Sequence, residues 1–236
     1  LLADMLSGVT DTARATEIRQ STYNYFGLDK PLIQQFFIYV NNVFHGNLGR
    51  SFNQYPRLVS EILTQSLPWT IAIQLPSLII GWIIGNLLGA VAAYRKGIFD
   101  RIIFPLSLFF SSIPVFVLAL LMKYYLGVYA HWFPMQGAYD AELMPSATFT
   151  FYWSLFRHWQ LPFLATCLVM IGGQAIGMRS MSLYELNADY VLYAKLLGIP
   201  ENKITKYVFK NAVLPQITGL ALSLGTMISG ALITVI

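Results

Sequence analysis

The 236-residue sequence predicts an all-α membrane protein, a polytopic bundle of helices, on three observations. Hydrophobic residues make up 56% of the chain and charged residues 11%, where soluble domains carry about 25% charged residues. Mean hydropathy is +0.57, more apolar surface than one soluble core of this length can hide, so lipid is the expected solvent. Four long stretches carry no charge at all: residues 62–94, 102–122, 159–178 and 211–236.

Each stretch is long enough to span. A helix rises 1.5 Å per residue, so about 20 residues cross a hydrocarbon core of roughly 30 Å. A central Lys, Arg or Asp would cost about 2.5–3.5 kcal/mol, which makes four charge-free gaps hard to obtain by chance. The first stretch is longer than a span needs, and its early part, up to Pro68, is expected at the membrane interface. Charge in the loops sets orientation. Arg95, Lys96 and Arg101 face only Asp100 after the first stretch, and Arg179, Lys195, Lys203, Lys206 and Lys210 outnumber Glu185, Asp189 and Glu201 after the third. Between the second and third, Arg157 stands against Asp140 and Glu142, with His131 and His158. Positive-inside bias places loops 95–101 and 179–210 in the cytoplasm and loop 127–158 outside.

Alternation then makes residues 1–61 external, with five basic and five acidic residues, and residues 62–236 the transmembrane domain. Leu1 and Leu2 read as the tail of an earlier apolar segment soon broken by Asp4, Asp11, Arg14 and Glu17, and the last run is still apolar at Ile236. The expectation is an internal portion of a longer protein, about four to five spans here with one missing at each end. Trp132, Trp153 and Trp159 stand where interfacial aromatics belong.

Small residues mark the helix contacts. Gly81, Gly85 and Gly89 recur every four positions and line one helix face, permitting close approach. Gly172, Gly173 and Gly177, then Gly219, Gly225 and Gly230, suggest the same, while Pro68, Pro76, Pro105, Pro114 and Pro162 can kink spans. Asn86, Ser111, Ser112 and Gln174 are polar residues within spans and candidates to line a path; interhelical hydrogen bonding is the competing and preferred reading.

Much chemistry is excluded. No G-x-x-x-x-G-K-[ST] occurs, so ATP hydrolysis is not expected of this chain. His45, His131 and His158 are scattered without ligand spacing, so no metal site is expected. The lone Cys167 lies in an apolar run and reads as a packing thiol. The net charge of +4 reflects cytoplasmic loops rather than nucleic-acid binding. An ion-gradient-driven transporter usually places Asp or Glu near the midplane, and the spans hold none; Lys123 at a span edge can snorkel. A catalytic pair for an intramembrane enzyme is also absent.

The most informative segment is residues 187–215, NADYVLYAKLLGIPENKITKYVFKNAVLP. Tyr190, Ala194 and Leu197 follow helical spacing and form an apolar face. Gly198 supplies a helix stop with positive φ, and Pro200 suits the first turn of a second helix. On that helix Lys203, Lys206 and Lys210 fall on one side, with Ile204 and Val208 on another. The expected form is an elbow, residues 187–212, entering the last span near Pro215.

This elbow resembles the cytoplasmic loop of ABC-transporter permeases, whose common form reads Glu-Ala-Ala, three residues, Gly, and later Leu-Pro. Ala194, Gly198 and Leu214-Pro215 match it, while Leu192 and Tyr193 replace the Glu and first Ala. Asp189-Tyr190-Val191 and Lys210-Asn211-Ala212 resemble the dipeptide, oligopeptide and nickel branch. The runs at residues 27–32, GLDKPL, and 46–52, GNLGRSF, resemble that branch's first external region.

What the resemblance implies is a permease of the ABC importer type, six spans in full, in the cell membrane. It would form the path for short peptides delivered by an external binding protein, with oligosaccharides or nickel as alternatives. Its partners would be ATPase subunits, a second permease subunit and membrane lipid. ATP and magnesium would sit on the ATPase, with no cofactor in this chain. Asp189, Tyr190, Ala194, Lys195, Gly198, Ile199 and Pro200 would couple to the ATPase, Ala194 and Gly198 as close-approach positions and Asp189 and Lys195 through polar contacts.

Overall fold

The computed structural model describes residues 20, 23, 30–51, 54, 56–95 and 97–234, with side chains through 225 and at 227. The expectations drawn on Leu1, Leu2, Asp4, Asp11, Arg14, Glu17, residues 27–29, Phe52, Lys96 and Ile236 lie outside the described residues. Two compact units divide the chain, Leu1–Pro68 and Trp69–Ile236.

In the first unit, α1 (Leu32–Phe44) starts after Pro31, whose extended backbone leads into it, and stops at His45. Gly46 and Gly49 then take φ of +75° and +74°, a region that L side chains rarely adopt, which accounts for both glycines of the GNLGR run. Asn47 Oδ1 accepts the Gly49 amide at 3.0 Å, Ser51 N donates to Arg57 O at 2.9 Å, and Arg50 pairs with Leu58. This loop opens into α2 (Val59–Arg95), which at 37 residues is about 55 Å long.

In the second unit α2 is joined by α3 (Ile98–Ser112), α4 (Val115–Met122) with its π-helical extension Lys123–Tyr129, and α5 (Phe149–Leu186). The short α6 (Asp189–Leu196) and the long α7 (Glu201–Thr234) complete the unit. Among the described residues α2 and α5 are long and apolar enough to cross a membrane. The expected second span, residues 102–122, is not one straight helix: α3 and the segment Val115–Tyr129 meet at 99°, a broken span or a re-entrant loop. Pro114 disfavours helical backbone at the residue before it, and Ile113 is accordingly extended (φ −84°, ψ 127°). The helices run on through Pro68, Pro76, Pro105, Pro162 and Pro215. The fourth expected stretch lies on α7, whose end carries no described side chains.

The small-residue stripe organises the packing. A Cβ added to Gly81 would meet Met170 Cβ at 2.6 Å, one on Gly85 would meet Gln174 Cβ at 2.6 Å, and one on Gly89 would overlap Ala175 O. One turn before Gly81, Ser77 Oγ donates to Ile73 O and Phe163 O, and earlier still Trp159 Nε1 donates to Ala72 O at 2.7 Å. Partner numbers rise together, so α2 and α5 run parallel at backbone contact. On another side of α5, Gly172 sits against Ser107 O and Ser111 N of α3, while Arg179 meets Asp100. Here numbers fall as they rise, so α3 is antiparallel to α5. In α7 the Gln216 carbonyl accepts Trp82 Nε1 at 3.0 Å, and Ala212 packs with Ala90 and Met178. Helix α7 is therefore antiparallel to α2 and α5. These directions agree with the alternation read from loop charge.

Candidate functional site

The C-terminal ends of α2 and α5 and the N-terminal end of α7 converge on the elbow. Helix α5 ends at Leu186 with Asn187 as its cap, α6 follows at once, and Gly198 turns the chain with φ +70°. The Gly198 amide donates to Lys195 O and the Ile199 amide to Ala194 O, both at 3.0 Å, so the turn itself satisfies two of the last carbonyls of α6. The Pro200 carbonyl then accepts from Lys203 and Ile204, opening α7. Pro200 therefore stands just before the second helix rather than inside its first turn.

One face of α6 is packed inward. Val191 and Ala194 are buried with Ile204 and Val208 of α7, and Tyr94, Leu186, Tyr190 and Ile199 close around them. Ala194 thus gives close approach between the two arms of the elbow, and its small side chain does not face outward. Leu197 departs from the expected apolar face: it is 79% exposed. Helical spacing does place Tyr190, Ala194 and Leu197 on one side, but α6 ends at Leu196 and Gly198 redirects the chain, so Ile199 takes the inward position instead. Leu192, Tyr193, Leu196 and Leu197 form the outward face, two pairs one turn apart, all more than half exposed. Asp189 and Lys195 are exposed at opposite ends of α6.

Polar contacts lock the elbow to the bundle. Tyr190 Oη donates to Glu185 Oε2 at 2.7 Å, and Tyr94 Oη to Thr205 O at 3.4 Å. Burial, with the hydrogen bond to the Glu185 carboxylate, pushes the Tyr190 hydroxyl above its ordinary range. Sequence reading missed a further clamp, between α3 and α5. Arg179 Nε and an Nη hold both oxygens of Asp100 at 2.5 and 2.7 Å, and the guanidinium lies 4.4 Å from the centre of the Phe104 ring. Hydrogen bonding to Arg179 holds the Asp100 carboxyl below the usual carboxylate range, and the same contact raises Arg179. Each residue was legible only as a loop charge, because nothing in a separation of 79 positions pairs them.

The four polar span residues are not gathered at one place. Asn86 is 2% exposed, donates to Trp82 O at 2.7 Å, and its Oδ1 has no hydrogen-bond partner among the described residues. Asn86 and half-buried Gln174 flank the α2–α5 seam, Ser111 donates to Leu108 O on the α3 side of α5, and Ser112 is exposed. At the N-terminal end of α5, Ser154 Oγ accepts the Asp140 amide at 2.8 Å and donates to its carboxylate at 2.7 Å, pinning the loop before α5 to that helix. A cavity of about 670 Å³ lies there, lined by Trp69, Phe156, His158 and Trp159 among others.

The family described as binding-protein-dependent transport system inner membrane component matches residues 85–236, well over half of the chain, including the whole elbow. The chain belongs to that family. As an inner membrane component it is similar to a dipeptide transport system permease protein of Lactococcus lactis, 32% identical over 88% of this chain and 63% of the relative. A di/tripeptide transport system permease protein of Pseudomonas aeruginosa is 31% identical over 88% of this chain and 66% of its own length. A probable D,D-dipeptide transport system permease protein of Escherichia coli is 32% identical, with coverages of 88% and 66%. The chain thus spans slightly less than two thirds of the length of these relatives. Its apolar helices and family place it as a multi-pass protein of the cell membrane.

Proposed function

We propose that the chain is the permease subunit of an ATP-driven importer of short peptides, coupled through α6 to a separate ATPase. The observation that carries the coupling is the two-sided α6. One face is buried against α7 by Val191 and Ala194, while Leu192, Tyr193, Leu196 and Leu197 stand outward on a short, glycine-terminated helix. Contiguous exposed apolar surface on an ordered inner loop suits docking to a protein partner. Movement of that partner would reach α7 through Ile204 and Val208, and α2 and α5 through Tyr94 and Leu186. ATP and magnesium belong to the partner in this reading, and the chain contributes path and lever. Peptide cargo and delivery by an external binding protein rest on the names of the relatives and of the family.

The test is to purify the full-length protein from its native membrane and ask whether an ATP-hydrolysing subunit accompanies it. Leu192→Asp with Leu196→Asp places two charges on the outward face without touching the buried one. Loss of the ATPase from a variant of unchanged thermal stability is the expected result. Full retention by the variant, or no ATPase with the wild type, overturns the coupling. Peptide uptake that persists after the ATPase is deleted would point to an ion gradient instead.

A further inference from the structure

Helix α1 has no place in the mechanism above, yet its surface is largely apolar and exposed. Its sequence, LIQQFFIYVNNVF, holds nine apolar or aromatic residues in thirteen, and none of the thirteen is buried. Leu32 and Phe44 are more than four-fifths exposed, and Ile33, Phe36, Phe37 and Tyr39 more than half. The polar residues Gln34, Gln35, Asn41 and Asn42 gather on the opposite side, which Ile38 interrupts. At 100° per residue, Phe36 and Val43 share one heptad position, and Gln34 and Asn41 share another about 200° away. So wide an aromatic face would make a water-exposed segment associate.

We propose that α1 lies flat in the external interfacial layer of the bilayer, with the Phe36–Val43 side in lipid and the Gln34–Asn41 side in water. Three observations choose lipid. Residues 31–49 contain no Asp, Glu, Lys or Arg, so neither face offers the charge that a polar protein rim supplies, while Lys30 and Arg50 bracket the segment. Phe36, Phe37, Tyr39 and Phe44 are the amphipathic and aromatic types that accumulate at membrane interfaces. The tether is also short: residues 45–58 lead directly into α2, and at about 3.5 Å per residue they reach under roughly 50 Å. The segment thus adjoins a bilayer that its own chain enters.

The test places a nitroxide on single cysteines at positions 36, 43, 34 and 41 of the full-length protein in phosphatidylethanolamine–phosphatidylglycerol vesicles, with Cys167→Ser as background. Collision rates with oxygen, which concentrates in lipid, and with a water-soluble nickel chelate are compared. The expected ratio of oxygen to nickel access is several-fold higher at 36 and 43 than at 34 and 41. Equal nickel access at all four positions overturns the proposal in favour of a solvated helix. Immobile labels at 36 and 43 that neither reagent reaches overturn it in favour of a protein surface, either this chain or a partner. Agreement between 36 and 43 guards against a local effect of one label, and the outcome does not depend on the ATPase.

Discussion

Replacing Gly89 by alanine tests the parallel α2–α5 contact that holds the bundle together. The added Cβ would overlap Ala175 O and stand 3.0 Å from Ala175 C and Arg179 N. All three are backbone atoms, so no rotamer change relieves the overlap. Comfortable contact begins near 3.5 Å, so the helices must part by roughly an ångström, shedding dispersion contacts along the seam. Overpacking of this kind costs about 1–3 kcal/mol. Alanine also gains about 1 kcal/mol over glycine in a helix interior, so the correct comparison is Gly173→Ala, where nothing described lies within 4 Å of the new Cβ. The helix gain is common to both variants, and their difference isolates the clash. Thermal unfolding of the purified protein in lipid nanodiscs, followed by tryptophan fluorescence, should place Gly89→Ala below Gly173→Ala. At about 2–4 °C per kcal/mol for a chain of this size, the gap is several degrees. Equal Tm values would refute the seam.

Three further outcomes follow from individual contacts. Ser154→Ala removes both hydrogen bonds to Asp140 from a buried hydroxyl and should cost about 1–3 kcal/mol, read as lower Tm and faster proteolysis of the loop at residues 138–148. The Arg179–Asp100 clamp depresses the folded carboxyl pKa, so its stabilisation is present above the unfolded value and is lost as pH falls through the folded one. Wild type should exceed Asp100→Asn in Tm at neutral pH, by an amount equivalent to about 1 kcal/mol for a partly exposed pair, and the two should converge in acid. Gly198→Ala forces a non-glycine residue to φ +70° and should cost about 1–2 kcal/mol through backbone strain alone, because nothing described crowds the new methyl group. Hydrogen exchange should show the loss localised to α6 and the start of α7.

Solvent class and the all-helical fold were legible in the sequence because both depend on quantities summed along the chain, apolar run length and charge-free gaps, whereas the four expected spans became two span-length helices and one pair bent by 99° among the described residues. The elbow was legible because glycine and proline act locally on φ and ψ, and Gly198 and Pro200 punctuate the two helices whatever surrounds them. The glycine stripe announced a contact face, since spacing by four fixes a face before any partner is known. Its partner was decided only in three dimensions, where Gly81, Gly85 and Gly89 meet Met170, Gln174 and Ala175. Among six prolines in apolar helices the sequence could not single out Pro114; membrane helices absorb a proline where neighbouring packing supports them. The faces of α6 were likewise a tertiary matter, because Leu197 and Ile199 exchange roles once the turn redirects the chain. Asp100 and Arg179 needed the folded bundle most of all. A charge pair depends on distances of a few ångströms, and only the antiparallel packing of α3 on α5 supplies them.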